Sequence, residues 1–399
     1  MFQIMTSQVI LMNASGVGIA SDSAMTFGNR RVYDTAEKIF PLPAPHCVAI
    51  LHSGAVFLQD YTYQGLISEW AKSLGSVQLR TVDLYQQNFL DWLTDNVNWF
   101  SNSKQLEWAR QILDDRLNFL WRRCRDKSNE GVTTATEIER VISSITDDLR
   151  NYPPNFGPQL QWLNYVMKEQ QNYLNEQIDY WFDDVPFRDE TKELLLEDIR
   201  VFLEKGLFKD EAKLAFCGFG SNEIMPSYST TVIRGVLGNI IIGLLTEAYQ
   251  YDPHASWRHY AIIPLGQTKT IHEFLRGVES GMVDLVYQAV FDSVTETLET
   301  VKGHLGENYE QTLNGLHSKF QDVVKTRIDE QVSRRTDKIA HVLPALPAVS
   351  LASYAGSLID LVALRLSIDG EMNTVGGPID TAMITRENGF RWVHHKSIG

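Results

Sequence analysis

Residues Thr6 to Phe40 constrain this chain more than any other stretch. Thr6-Ser7-Gln8-Val9-Ile10-Leu11-Met12 is a short apolar run, partly β-branched. Asn13-Ala14-Ser15-Gly16 has the composition of a turn. Val17-Gly18-Ile19-Ala20-Ser21-Asp22 is a second run, rich in small residues. Two such runs about a four-residue turn predict a β-hairpin. With the turn centred between Ala14 and Ser15, Thr6 falls opposite Ser23, one residue from Asp22. The hairpin then carries a hydroxyl and a carboxylate to the same end. Lys38 follows in Tyr33-Asp34-Thr35-Ala36-Glu37-Lys38-Ile39-Phe40, before the Pro41-Leu42-Pro43 break. Taken singly, a Thr at a strand start, an Asp in a turn and a Lys in a charged loop are ordinary structural residues. Their joint spacing is what points to chemistry.

That spacing resembles the opening of the proteasome β-subunit group, which includes the bacterial HslV and Anbu proteins. The group begins its mature chain with Thr, has Gly ten residues on, Asp sixteen on in an Ala-x-Asp-Ser/Gly run, and Lys thirty-two on. Thr6, Gly16, Asp22 in Ala20-Ser21-Asp22-Ser23, and Lys38 keep each interval. Cys47-Val48-Ala49-Ile50-Leu51-His52-Ser53-Gly54 matches the strand and small-residue turn that follow in the group. Near the other end, Thr374-Val375-Gly376-Gly377-Pro378-Ile379-Asp380-Thr381-Ala382-Met383-Ile384-Thr385 resembles the group's Ser-Gly-Gly-Pro-Ile strand. Two positions depart from the pattern. Gln267 follows Gly266 where the group usually has Ser, and Val375 stands where another Ser is usual.

The resemblance implies an α+β fold, a four-layer α/β/β/α sandwich of the N-terminal-nucleophile (Ntn) hydrolase type, here enlarged by two long helical insertions. It implies a single domain over 1–399. The core would be about 6–100, 211–272 and 345–399, and the insertions about 101–210 and 273–344. It implies a threonine peptidase in which Thr6 is nucleophile, Lys38 favours the neutral α-amine, Asp22 holds Lys38, and the Gly54 N–H serves as oxyanion donor. Met25, Thr26, Ala36, His52 and Val56 would border the peptide. No cofactor or metal is called for. The partners implied are a peptide or protein substrate and further copies of the chain in a ring or stack; an ATPase partner is left open. The chemistry needs a free α-amine on Thr6. Either Met5 is the true start and is trimmed, or the chain cuts itself between Met5 and Thr6. The alternatives are a non-proteolytic amidase and a catalytically silent assembly protein of the same fold.

Composition narrows the classes. A net charge of −14 argues against a nucleic-acid binder or a protein that docks on anionic membranes. Cys47, Cys124 and Cys217 have neither disulfide-framework nor zinc spacing. Neither a signal sequence nor an apolar run long enough to span a bilayer is expected, so the expected compartment is the cytoplasm.

Periodicity predicts helices over Ala55 to Leu74 and Val82 to Trp99. From about Ser101 to Asp210 the chain is helical and charged, broken at Pro153-Pro154 and Pro186. There Trp108, Trp121, Trp162, Tyr173, Tyr180 and Trp181 read as a core stripe. Strands are expected at Lys213–Gly220, Pro226–Gly235, Asn239–Leu244 and Tyr260–Gly266. Thr268 to about Ile339 and Ser350 to Ile368 are expected to be helical. Ile271-His272-Glu273 lacks the second His of a zinc-protease helix. His394-His395 reads as a solvated tail.

Overall fold

The computed structural model describes residues 2–4, 6–27, 30–129, 134–152, 160–206, 208, 211–250, 260–300, 302–305, 308–369 and 375–396. The strands are β1 (Phe2–Ile4), β2 (Ser7–Asn13), β3 (Gly16–Ser21), β4 (Met25–Phe27), β5 (Arg30–Tyr33), β6 (Ile39–Pro41), β7 (Cys47–Ala55), β8 (Phe57–Leu58), β9 (Tyr61–Thr62), β10 (Ala212–Phe219), β11 (Ser227–Leu237), β12 (Ile240–Gln250), β13 (Tyr260–Gly266), β14 (Asp380–Thr385) and β15 (Gly389–His394). The helices are α1 (Tyr63–Leu74), α2 (Val82–Asp95), α3 (Asn102–Asn129), α4 (Ala135–Asn151), α5 (Leu160–Glu169), α6 (Gln171–Trp181), α7 (Asp189–Lys205), α8 (Lys269–Arg276), α9 (Ser280–Glu299), α10 (Lys302–Leu305), α11 (Tyr309–Val342) and α12 (Ala348–Ile368). The chain is thus α+β, with antiparallel sheets. It divides into two compact units, Met1–Ile4 with Thr26–Gly28 and Lys38–Gln250, and Met5–Met25 with Asn29–Glu37 and Tyr251–Gly399.

The first unit holds an antiparallel sheet in the order β12-β11-β10-β7-β1-β4, with β6 also on β7. Val48 and Ile50 of β7 and Leu214 and Phe216 of β10 alternate onto the face that carries α1 and α2. Trp70 of α1 and Phe89 of α2 fill that layer, their rings edge to face at 5.3 Å. Ala49, Leu51, Ala215 and Cys217 alternate to the other face and are equally buried. Burial on both faces explains why these strands read as unbroken apolar runs.

The helix expected from Ala55 begins only at Tyr63. β7 runs through Ala55, and β8 and β9 pair as a small hairpin. Gln59 takes a left-handed φ of 53° in its turn. Thr62 then caps α1, its hydroxyl accepting from the Gly65 N–H at 3.0 Å.

Residues 102–205 build a second core in this unit. Leu113, Leu117 and Leu120 of α3 meet Ile138 and Ile142 of α4, Leu174 and Ile178 of α6, and Leu195 and Ile199 of α7. Trp108 belongs to this core, and Trp121 and Trp181 pack against it, as the stripe predicted. Tyr180 does not; it is exposed. The Trp162 side chain and Pro153-Pro154 lie outside the described residues.

The second unit holds an antiparallel sheet in the order β13-β2-β3-β14-β15. The hairpin has the expected register, with Gln8 opposite Ser21 and Asn13 opposite Gly16. The turn is made by Ala14 and Ser15, and the Asn13 side chain accepts from the Ser15 N–H at 2.7 Å. Every residue of β2 and β3 is buried. α12 lies on β2, β3 and β14. Gly18 makes that approach possible, because a Cβ there would stand 2.3 Å from the Ala352 nitrogen. Contrary to expectation, α12 is long and apolar enough by length and composition to cross a membrane. Leu351, Ala352, Ala355, Ile359 and Val362 of this helix are buried.

Candidate active site

The hairpin register decides the site. Because β2 and β3 are paired up to Gln8 and Ser21, the next residues of each strand meet at their open end. The Asp22 N–H donates to the Ser7 carbonyl at 3.2 Å. The Thr6 hydroxyl donates to Asp22 Oδ1 at 2.7 Å, and the Ser7 N–H donates to the same oxygen at 3.0 Å. The Gly376 N–H donates to Asp22 Oδ2 at 3.2 Å. Thr6 is 2% exposed and Asp22 is fully buried. A buried carboxylate is stable only when donors surround it, and three do so here.

Thr6 is fixed from its carbonyl side as well. The Gln267 N–H donates to the Thr6 carbonyl at 2.9 Å. Gly266 has φ of 74°, and a Cβ on it would lie 2.0 Å from that carbonyl oxygen. Only glycine fits there. Gln267 therefore serves Thr6 through its backbone, which any residue supplies; the hydroxyl of the group's usual Ser is missing. Val375 lies in the apolar core with Leu351 and Ala355, so its own side chain offers an apolar surface where the group's other Ser would offer a hydroxyl.

The loop before Lys38 is tied to the hairpin. The Ala36 N–H donates to the Ser23 carbonyl at 3.1 Å, and the Ser23 N–H donates to the Gly376 carbonyl at 3.2 Å. Met25 and Ala36 are both buried. Behind them is a polar cluster that sequence reading missed. The Lys396 ammonium pairs with Asp380 and lies 3.1 Å from Glu37 Oε1. The Lys396 N–H donates to Asp380 Oδ1 at 2.8 Å, and the Ser23 hydroxyl donates to Asp380 Oδ2 at 3.4 Å. His395 is exposed, as expected of a solvated residue, but it is not without contacts. It stacks on Trp392 at 4.0 Å and reaches Glu37 Oε1 at 3.3 Å, while His394 Nδ1 meets the Ile379 carbonyl at 2.9 Å. Glu37, Asp380 and His395 have ligand atoms close enough for a metal ion, but Lys396 already supplies the cation to both carboxylates.

The remaining expected residues belong to the first unit. Lys38 is buried, and its carbonyl accepts from the His52 N–H at 2.9 Å. Gly54 has φ of 91°, and a Cβ there would lie 2.1 Å from the Glu211 carbonyl oxygen. Val56 is half-buried, and its carbonyl accepts from the Tyr63 N–H at 3.1 Å. His52 is buried between Phe40 and Tyr63, its Nε2 2.8 Å from the Ala55 carbonyl. Burial lowers its pKa, the Ala55 hydrogen bond raises it and the Lys38 charge lowers it, and together they leave it pushed down to about 4. Its imidazole is therefore neutral at pH 7, with Nε2–H donating to Ala55. The unfolded chain binds that proton below about 6.5 and the folded chain only below about 4. Stability should thus fall as pH drops through this window, by about 3 kcal/mol in total. His52→Gln keeps a donor for Ala55 and should flatten that part of the curve, measured by urea unfolding at pH 7 and pH 4.5.

Thr26 is placed by its backbone. β1 lies between β4 and β7, with Gln3 opposite both Thr26 and Ala55 and Ile4 opposite Gly54. Residues Phe2–Ile4 are thus an extended peptide, paired on both edges, ending two residues before Thr6. Sequence reading gave this segment no structure. Three residues are too few for a periodic signal.

No family model matches the chain, and no curated protein matches it.

Proposed function

We propose that this chain is an N-terminal threonine hydrolase that cleaves peptide bonds, built on the four-layer sandwich of the Ntn type. The observation that carries the reading is the strand Phe2–Ile4, held antiparallel by Thr26 on one side and Gly54–Ala55 on the other. A slot that binds one extended peptide through its backbone accepts another by the same hydrogen bonds once the first is gone. The burial of β2 and β3 on both faces also suits a sheet inside a layered sandwich.

With residues 1–5 removed, Thr6 would carry both nucleophile and base. Its hydroxyl oxygen attacks the amide carbonyl carbon while the α-amine accepts the hydroxyl proton. An α-amine titrates at about 7.7–8.0, and a neighbouring ammonium lowers that value. Lys38 is the ammonium proposed for this role, and the Gly54 N–H the donor to the developing oxyanion. The tetrahedral adduct expels the amine product with the proton held by the α-amine. Water then hydrolyses the Thr6 ester.

The first test is intact mass and N-terminal sequencing of the protein from its own host, with turnover of fluorogenic tripeptide amides assayed on the same sample. A chain beginning at Thr6 that releases the fluorophore is the expected result. A chain that keeps Met5, or one that begins at Thr6 and turns over neither peptide nor simple amide, overturns the peptidase reading. The apolar burial of Val375 would then favour the silent assembly role.

A further inference from the structure

We propose that the recess between α8, the C-terminal end of α11 and α12 binds the dissolved anion of a medium-chain fatty acid, with its tail on Leu11 and Ile262 and its carboxylate at Lys338 and Tyr354. This inference is independent of the catalytic reading.

The recess has a sheet for its floor and helices for its walls. Leu11 of β2 and Ile262 of β13 stand opposite each other in the sheet and form the floor. Tyr354, Ser357, Leu358 and Leu361 follow at three- and four-residue steps along one stripe of α12. Lys338, Ile339 and Val342 of α11 and Phe274 and Leu275 of α8 make the other walls. Three helices around one floor make a cup rather than a groove, which suits a small molecule and not a helix. Its volume is about 480 Å³, within the range of small-molecule sites.

Polar ties hold the walls, so the shape of the recess does not depend on an occupant. The Asn13 side chain donates to the Leu343 and Leu346 carbonyls at 2.8 and 2.7 Å, which fixes the end of α11 over the sheet. The Arg335 Nε–H donates to the Phe274 carbonyl at 2.8 Å, and the guanidinium lies over the Phe274 ring at 5.1 Å. Arg365 pairs with Glu273 and joins α12 to α8.

The lining is apolar in depth and polar at the mouth. Leu11 is buried, and Ile262, Leu275, Ile339 and Leu358 are half-buried against the same core. Phe274, Val342 and Tyr354 at the mouth are between 45% and 52% exposed. A tail seated here removes apolar surface from water on both sides. Two donors stand ready for its head. The Lys338 ammonium has no ion pair, and the Tyr354 hydroxyl no hydrogen bond, among the described residues. The Ser357 hydroxyl is committed to the Ser353 carbonyl at 3.1 Å. The acids beside these residues in sequence turn away from the recess: at 3.6 residues per turn, Asp337 stands about 140° from Val342, and Asp360 about 160° from Leu358. One ammonium and one phenol, reaching from two walls, match a singly charged head with two oxygens. In a chain of net charge −14, an unpaired cation beside an apolar recess is a selective feature.

The test is calorimetric titration of the full-length protein with octanoate, decanoate and dodecanoate below their aggregation concentrations. A single site is expected, tightening about two- to fourfold with each added CH₂. Val342→Glu puts a like charge at the mouth on an exposed residue. It should weaken dodecanoate at least about tenfold and leave the unfolding midpoint unchanged. Lys338→Met keeps the apolar stem and removes the charge. It should weaken dodecanoate about three- to fivefold and leave dodecanol unaffected. Absence of binding at about 1 mM dodecanoate overturns the inference. So does binding indifferent to Val342→Glu, or dodecyltrimethylammonium bound as tightly as dodecanoate. Co-sedimentation with phosphatidylglycerol vesicles that Val342→Glu abolishes, without dodecanoate binding, overturns it too and assigns this face to a membrane.

Discussion

Asp198→Ala is expected to lower the stability of the helical core in residues 102–205 by about 3–5 kcal/mol, the usual cost of leaving one charge of a buried pair alone. Asp198 is fully buried on α7 and Arg116 nearly so on α3. The guanidinium meets the carboxylate at two points, Nε to Oδ1 and Nη2 to Oδ2, each 2.7 Å. The Thr146 hydroxyl from α4 adds a third donor at 2.9 Å. Three helices therefore converge on one carboxylate. The guanidinium also lies over the rings of Phe119 and Phe202 at 5.0 and 4.9 Å, and only 8% of the Arg116 side chain is exposed, so little water replaces its partner once that is cut away. Thermal unfolding followed by circular dichroism should show a fall of roughly 10 °C. Replacing both partners, Arg116→Met with Asp198→Leu, should recover most of the loss, because two apolar groups carry no desolvation cost. A double variant as unstable as Asp198→Ala would mean that packing, not the stranded charge, sets the effect.

That pair was illegible in the sequence for a definite reason. Asp198 and Arg116 are 82 residues apart, each in a charged helix where either would ordinarily face water. Lys396 was missed on the same ground: a lysine three residues from the end of a polar tail reads as solvated, and only Asp380 and Glu37 make it a buried one. The hairpin was legible because pairing has a period of two, and the turn at Ala14-Ser15 fixes every later partner. Thr6 and Asp22 could thus be brought together by counting residues. Gly376 stood inside a recognised motif, but its donation to Asp22 depends on a return of the chain after 354 residues. The helix expected at Ala55 failed locally. Val56, Phe57 and Tyr61 are β-branched or aromatic and suit the β8–β9 hairpin, and the Thr62 cap sets the true start.

Thr6→Ala should reduce amide turnover by at least about 10³-fold while leaving the fold intact. The argument for the rate is that Ala removes the attacking oxygen and leaves the α-amine with no hydroxyl on its own residue to activate. The argument for stability is that the fold around Asp22 outlasts the loss of one hydroxyl: the Ser7 and Gly376 N–H groups still satisfy the carboxylate. Thr6→Ser separates the two contributions. It restores the oxygen and its hydrogen bond to Asp22, so turnover should return to within about tenfold of wild type, with the remaining deficit reflecting the freer rotation of a side chain that lacks the methyl. Asp22→Ala should fail on both counts. It strands the Ser7 and Gly376 N–H groups, each of which costs about 1–3 kcal/mol when buried without a partner. It also releases the Thr6 hydroxyl from the 2.7 Å contact that aims it. The decisive comparison is therefore kcat and unfolding midpoint measured together: Thr6→Ala should lose only the first, Thr6→Ser little of either, and Asp22→Ala both. Turnover that survives Thr6→Ala would place the nucleophile elsewhere.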